Sequence, residues 1–415
     1  MVRMRRAARD TFRSLQVRNF RLFFGGQLIS QVGNWLTMIA QTLLVLHLTG
    51  NGLAVGLLVG CQFAPVLLLG AWAGLVADRS DKRRLLLIVQ CFAMLQSFTL
   101  ATLAFMDHPP LLAIYAVALA GGVATAFDNP ARRSFVVEMV PPEDVQNAVS
   151  MNSALMTGAR VVGPALAGLL VVTVGYGWCF TLDGLSYLAV IAGLWKMNPA
   201  ELRQPPVTPR SKGQIRAGFR YAHGHPDLWI PLVMMAVIGL LAFNFTVTMP
   251  LFVTRSLGGS DTTYTLLYSV LSVGALVGAL ATARRAAVEV SNVVVGAVMF
   301  GVAMLLLSIA PTLLLAFPGA LLLGFASMVF MTQSTAIVQV RSDPAMRGRV
   351  LALQAIVFLG STPIGGPILG LICDAWGARA GLVVGGLSTL AAAAWGVWAV
   401  RRGVGHPVEA QFSRA

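Results

Sequence analysis

Apolar residues run nearly unbroken for 20 to 28 positions at a time along this chain, and polar residues collect in short clusters between the runs. Twelve such runs can be drawn: Leu22 to Leu48, Leu53 to Ala77, Leu85 to Met106, Leu111 to Ala131, Asn147 to Val174, Trp178 to Met197, Leu228 to Thr254, Thr262 to Ala283, Val290 to Ala310, Thr312 to Val338, Val350 to Cys373 and Ala380 to Val400. At ~1.5 Å per residue each is long enough to cross ~30 Å of hydrocarbon as a helix. Strands of a membrane barrel would alternate apolar and polar over about 10 residues, which these runs do not. The pattern therefore predicts an all-α polytopic membrane protein with 12 transmembrane helices.

The longest polar stretch, Asn198 to Asp227, holds Pro205, Pro206 and Pro209 and predicts an interfacial helix near Lys212 to Tyr221. It divides the chain into residues 1–197, with six runs, a cytoplasmic linker at 198–227, and residues 228–415, with six more. An offset of 202 lays Pro142, Gly158, Gly163, Gly168 and Gly175 on Pro344, Gly360, Gly365, Gly370 and Gly377. That repeat predicts two pseudo-symmetric six-helix halves, an arrangement in which a solute site lies between halves near the midplane.

Composition and charge narrow the class. The 415 residues are 57% hydrophobic and 11% charged, with a mean hydropathy of +0.76, too little polar surface for a soluble globule of this size. The net charge of +14 is a matter of placement. With the N-terminus inside, 27 of the 30 Lys and Arg fall on inner segments and tails, Lys196 at the inner edge of the sixth run counted among them, two (Arg255 and Arg379) on outer loops, and one, Arg160, within the fifth run. This bias predicts both termini in the cytoplasm and accounts for the charge without nucleic acid. The basic start, Met1 to Arg21, reads as a cytoplasmic tail rather than a cleaved leader, because the run after it is too long and too rich in Gln. Cys61, Cys91, Cys179 and Cys373 are scattered and form no C-x-x-C pair, and the five His have no partner at ligand spacing, so no metal site and no cofactor is expected. No G-x-x-x-x-G-K-[ST] loop occurs, so the chain is not expected to be an enzyme that hydrolyses ATP.

The densest charge lies at Gly74 to Arg84, Gly-Leu-Val-Ala-Asp-Arg-Ser-Asp-Lys-Arg-Arg, between the second and third runs, with a weaker echo at Gly278 to Arg285. It resembles the signature G-x-L-x-D-R-x-G-R-K of the major facilitator superfamily, except that Asp81 stands in place of the second Gly. The run Gly158-Ala-Arg-Val-Val-Gly163-Pro164-Ala-Leu-Ala-Gly168 is similar to the Gly-Pro motif of fifth helices in the superfamily's exporters. Asp128-Asn-Pro-Ala-Arg132, the segment Ala159 to Pro164, and Arg347-Gly-Arg-Val350 resemble its proton-driven drug exporter branch, which includes bacterial enterobactin and macrolide exporters. The fourth run departs from many drug antiporters in having no Arg, since Leu119 to Val123 is apolar. The resemblance implies the major facilitator fold and places the second and eleventh helices side by side. Asp78 would then meet the free N–H groups at the start of the eleventh helix and latch an inner gate, with Gly74, Arg79 and Arg83 around it. Lys82 and Arg84 read as positive-inside anchors.

Other positions bear on solute and proton. Arg160 lies 13 residues into its run, ~20 Å deep, where an arginine is about 2.5 to 3.5 kcal/mol unfavourable. It either faces a wet cavity and binds anionic or polar groups, or is locked to backbone carbonyls or a neighbouring Asp. Gln27, Gln31, Asn34 and Gln41 share one helical face and either line the solute path or bond between helices. Asn244, Thr248, Gln333 and Gln354 are candidates for the opposite half of that path. Asp183 and Asp128 are candidate titrating groups, Asp128 being equally suited to a clasp with Arg132. Gly158, Gly163, Pro164 and Gly168 suit a helix that flexes or one that packs closely. The expected protein is a monomer in the bacterial inner membrane, with lipids, protons and a small-molecule solute as partners. It would export a drug or siderophore by proton antiport with alternating access. An uptake symporter, a lipid flippase and a non-transporting sensor are the alternatives.

Overall fold

The computed structural model describes residues 12–203, 214–283 and 289–402, which contain helices and turns and no strand. Backbone polar groups in hydrocarbon must be satisfied within their own segment, and the continuous apolar runs meet that demand as helices. The first unit holds α1 (Arg18–Thr49), α2 (Gly52–Arg79), α3 (Lys82–Ala104), α4 (Leu111–Glu138), α5 (Val145–Val174) and α6 (Tyr176–Trp195), apart from the start of α2. The second holds α7 (Gln214–His223), α8 (Pro226–Leu241), α9 (Phe245–Leu251), α10 (Asp261–Ala283), α11 (Val290–Ser308), α12 (Leu313–Arg341), α13 (Pro344–Trp376) and α14 (Ala378–Arg402). Together these make twelve segments long and apolar enough to cross a membrane, as the hydropathy pattern requires. Leu112, Leu314, Trp195 and Trp376 are 74 to 80% exposed, which suits lipid and not water.

Each unit repeats the other's packing. In the first, α1 packs on α5 and α6, and α3 on α4 and α6; in the second, α8 packs on α13 and α14, and α11 on α12 and α14. The matched residues of the internal repeat take matched places. Gly175 ends α5 at φ 84°, and Gly377 ends α13 at φ 88°, a left-handed conformation that suits only glycine well. Pro142 opens the turn into α5 and Pro344 opens α13. A Cβ on Gly163 would strike the Trp35 Cβ of α1, and one on Gly365 the Leu240 carbonyl of α8.

Three details refine the sequence picture. The seventh segment is two helices. Asn244 leaves helical geometry at φ −92°, ψ 47°, and its amide donates to the Leu240 carbonyl (2.8 Å), an acceptor the next helical turn would otherwise use. The helix expected in the linker begins at Gln214, and Lys212 and the three linker prolines lie outside the described residues, as do Arg284 and Arg285 of the second charged turn. Finally, the first turns of α2, Gly50–Gly60, group with the second unit while Cys61 onward groups with the first.

Arg255 and Arg379, the two basic residues expected on outer loops, both have partners. Arg379 donates to the Ser308 (2.5 Å) and Ala310 (2.8 Å) carbonyls that end α11. Arg255 pairs with Asp374 (2.7 Å).

Candidate functional site

In the first unit the polar chemistry gathers where α1, α3 and α6 meet. The close approach of α1 to α6 follows from Gly26 and Gly33, since a Cβ on Gly26 would fall 2.8 Å from Val190 Cα and one on Gly33 would strike Asp183 Oδ1. Into this seam α6 directs Asp183, whose residue is 1% exposed. Thr37 Oγ1 from α1 and Ser97 Oγ from α3 both donate to its Oδ2, each over 2.7 Å. Ser186, one turn on, donates to the Asp183 carbonyl (2.6 Å). No cation pairs with Asp183 among the described residues. Hydroxyls suit a group that changes protonation, because each can donate to a carboxylate or rotate and accept from a carboxylic acid. The next residue, Tyr187, donates to Asn34 Oδ1 (2.7 Å).

Asp128 has a different environment. Arg132 pairs with it at 3.1 Å one turn later on α4, and Gln90 of α3 donates to it over 2.8 Å. Arg132 reaches on to Asn129 (3.0 Å) and Met156 (3.2 Å). This is the clasp that the i, i+4 spacing suggests, and it joins α3, α4 and α5.

Arg160 lies against the α1–α5 seam, its guanidinium 5.7 Å from the centre of the Trp35 ring. Its Nε is buried without a hydrogen-bond partner, so the cation is held by the face of an aromatic ring while part of its donor capacity stays unused. Neither a backbone lock nor an Asp partner is among its described contacts. Of the α1 amides, Gln31 donates to Gln27 (2.9 Å), Gln41 accepts from Gln62 of α2 (2.9 Å), and Asn34, the exposed member, lies beside Trp35. Gly158 has open space around it, whereas Gly163 and Pro164 are buried and Gly163 touches Trp35.

At the charged turn, Asp81 replaces the signature glycine and serves as N-cap of α3, accepting from the Arg84 amide (3.1 Å). Lys82 is 9% exposed and pairs with Glu138 (2% exposed) at 2.5 Å, a buried tie of α3 to α4 rather than a surface anchor. Arg83 donates to the Leu194 (2.7 Å) and Trp195 (3.1 Å) carbonyls at the end of α6, where a cation is favoured. Gly74 and Asp78 are half-buried on the last turns of α2, and Arg79 is exposed.

In the second unit, Asn244 Oδ1 at the α8–α9 break and Gln333 Oε1 on α12 are both buried without a partner. Thr248 follows Asn244 by one turn and donates to its carbonyl (3.3 Å). Gln354 of α13 donates weakly to Thr335 (3.4 Å). Phe243 at the break packs edge-on against Phe300 (4.9 Å between ring centres) and Phe358 (5.1 Å), so the break is lined with aromatic rings. No group of His, Cys, Asp and Glu among the described residues is arranged to hold a metal.

Sequence reasoning reached Asp183 and Arg160 but not Thr37, Ser97, Trp35 or the Lys82–Glu138 pair. A lone hydroxyl or indole in an apolar run carries no signal until the helix opposite it is known.

Residues 9–404 match the family model described as transmembrane secretion effector. The staphyloferrin A transporter of Staphylococcus aureus is 22% identical over 371 residues, covering 89% of this chain and 93% of the relative. The enterobactin exporter of Shigella boydii is 24% identical over 341 residues, covering 81% and 76%. Among solved structures, a bacterial homologue of the human lysosomal transporter Spinster aligns with a TM-score of 0.73 at 18% identity, covering 94% of this chain and 97% of the other. A POT family transporter aligns at 0.77 and 9% identity, covering 93% and 96%.

Proposed function

Because this chain belongs to the transmembrane secretion effector family of major facilitator transporters, and is a multi-pass membrane protein and not an enzyme, we infer that it moves an anionic, amphipathic solute of the siderophore type outward across the bacterial inner membrane in exchange for protons. The observation that carries the coupling is Asp183, a buried carboxyl within a membrane helix held by two hydroxyls from two other helices. Buried ionisable groups inside membrane segments concentrate in ion and substrate pathways. Asp183 takes up a proton from one side and gives it to the other as α1, α3 and α6 rearrange around it. Arg160 on Trp35 supplies the positive charge that meets the solute, with Asn34 beside it offering a polar contact. Asp78 closes the inner gate in the outward-open state. A small metal chelator with several anionic oxygens fits an arginine that has no carboxylate partner among the described residues better than a neutral drug does.

The family's description and the enterobactin exporter support the outward direction. Direction is tested with inside-out and right-side-out membrane vesicles bearing an imposed pH gradient and radiolabelled enterobactin or staphyloferrin A. Export predicts uptake into inside-out vesicles that depends on the gradient. Uptake confined to right-side-out vesicles would instead assign import, the reading open to the staphyloferrin A relative, whose name carries no direction.

A further inference from the structure

The α2 helix is one continuous rod of 28 residues, yet its first turns group with the second unit and the rest with the first. A rod shared between two bodies must be released at one end if the bodies are to move independently. The fastening at its N-terminal end is specific. Asp374, on the last turn of α13, accepts from the Gly52 amide through Oδ1 (2.8 Å) and from the Leu53 amide through Oδ2 (2.8 Å). Arg255 donates to the same Oδ1 (2.7 Å) and, through its other nitrogen, to the Gly50 carbonyl. One carboxylate thus takes two orphan N–H groups at the positive end of α2 and a guanidinium, while the guanidinium grips the chain just before the helix.

Below this fastening the two helices touch backbone to backbone. A Cβ on Gly56 would strike the Gly366 carbonyl, and one on Gly370 the Gly52 carbonyl. Glycine faces of this kind meet by close backbone approach, with no side chains interlocked between them at these positions. The side chains of Arg255 and Asp374 are 32% and 23% exposed, so water can replace each partner when they part.

We propose that Asp374 and Arg255 are a releasable latch that seats the first turns of α2 on α13, at the opposite end of α13 from α7, and that opening it is a step of the transport cycle. The proposal rests on the alternating-access reading above. The latch lies at the opposite end of α2 from Asp78.

The test is hydrogen exchange read by mass spectrometry on the full chain in lipid nanodiscs, without added solute, for wild type, Asp374→Asn, Asp374→Ala, Arg255→Gln and the swap Arg255→Asp with Asp374→Arg. A latch predicts about tenfold faster exchange both in residues 50–60 and in residues 363–371 on loss of Asp374. The swap should not restore protection, because arginine cannot accept from the Gly52 and Leu53 amides. Unchanged exchange, or a rise confined to the amides of Gly52 and Leu53, would overturn the latch and leave a static helix cap. Restoration by the swap would also overturn it, by showing that the helix end plays no part. Asp374→Asn with a wild-type thermal transition keeps the comparison free of misfolding. These readouts need no transport, so failure of the export assay alone would count against the transport reading and not against the latch.

Discussion

The hydroxyl of Thr37 donates to Asp183 Oδ2 across 2.7 Å, and this contact joins the first membrane helix to the sixth through a carboxyl that Ser97 also reaches from the third. Asp183→Asn preserves shape and hydrogen bonding but cannot exchange a proton. It should leave expression and melting close to wild type and abolish gradient-driven transport. Thr37→Val removes one donor to a buried carboxyl and should cost about 1–3 kcal/mol, read as a lower melting temperature in detergent.

Gly33 supports the same seam from behind. A Cβ there would strike Asp183 Oδ1 and lie 2.8 Å from Ser186 Oγ, so Gly33→Ala must push the carboxyl off its hydroxyl donors. We expect transport to fall toward the Asp183→Asn level with destabilisation of about 1–3 kcal/mol. Gly158→Ala, where nothing lies within 4 Å, should be nearly silent in the same assays.

The Arg160–Trp35 contact separates a solute-binding role from a structural one. Arg160→Ala should weaken binding of an anionic solute by about 1.5–3 kcal/mol, a tenfold or greater rise in Kd by isothermal titration, with Lys giving an intermediate value because it keeps charge but loses the planar fork. Trp35→Ala should weaken binding less than Arg160→Ala. Unchanged affinity with a lowered melting temperature would make the arginine a packing element.

Lys82 and Glu138 are buried together, so removing one partner strands the other. Lys82→Met should cost about 3–5 kcal/mol, while Lys82→Met with Glu138→Leu should recover most of it, as thermal unfolding would show. A surface anchor would lose less than about 1 kcal/mol on the same change.

The division between what the chain discloses and what it conceals has a physical cause. Spans were legible because hydrocarbon imposes one length and one composition, and the repeat because Gly175 and Gly377 must both accept left-handed geometry where their helices end. Asp183 and Arg160 stood out because ionisable groups are rare in such runs. The hydroxyls of Thr37 and Ser97 did not, since serine and threonine in membrane helices often bond their own backbone, as Thr42 does to the Met38 carbonyl (2.8 Å). The break at Asn244 was hidden for a related reason: Leu228 to Thr254 is uniformly apolar enough to read as one helix, and only the bond from Asn244 to the Leu240 carbonyl shows where it stops.

Exchange of solute for protons at Asp183 would make the two movements inseparable. It is tested most directly in inside-out vesicles with a pre-formed pH gradient followed by a fluorescent dye, in which enterobactin or staphyloferrin A is added to wild type and to Asp183→Asn at equal protein levels. Proton exchange at Asp183 predicts that solute partly collapses the gradient in wild-type vesicles and leaves it untouched in Asp183→Asn. Equal collapse in both would contradict it, as would gradient-independent solute accumulation with no proton movement in wild type.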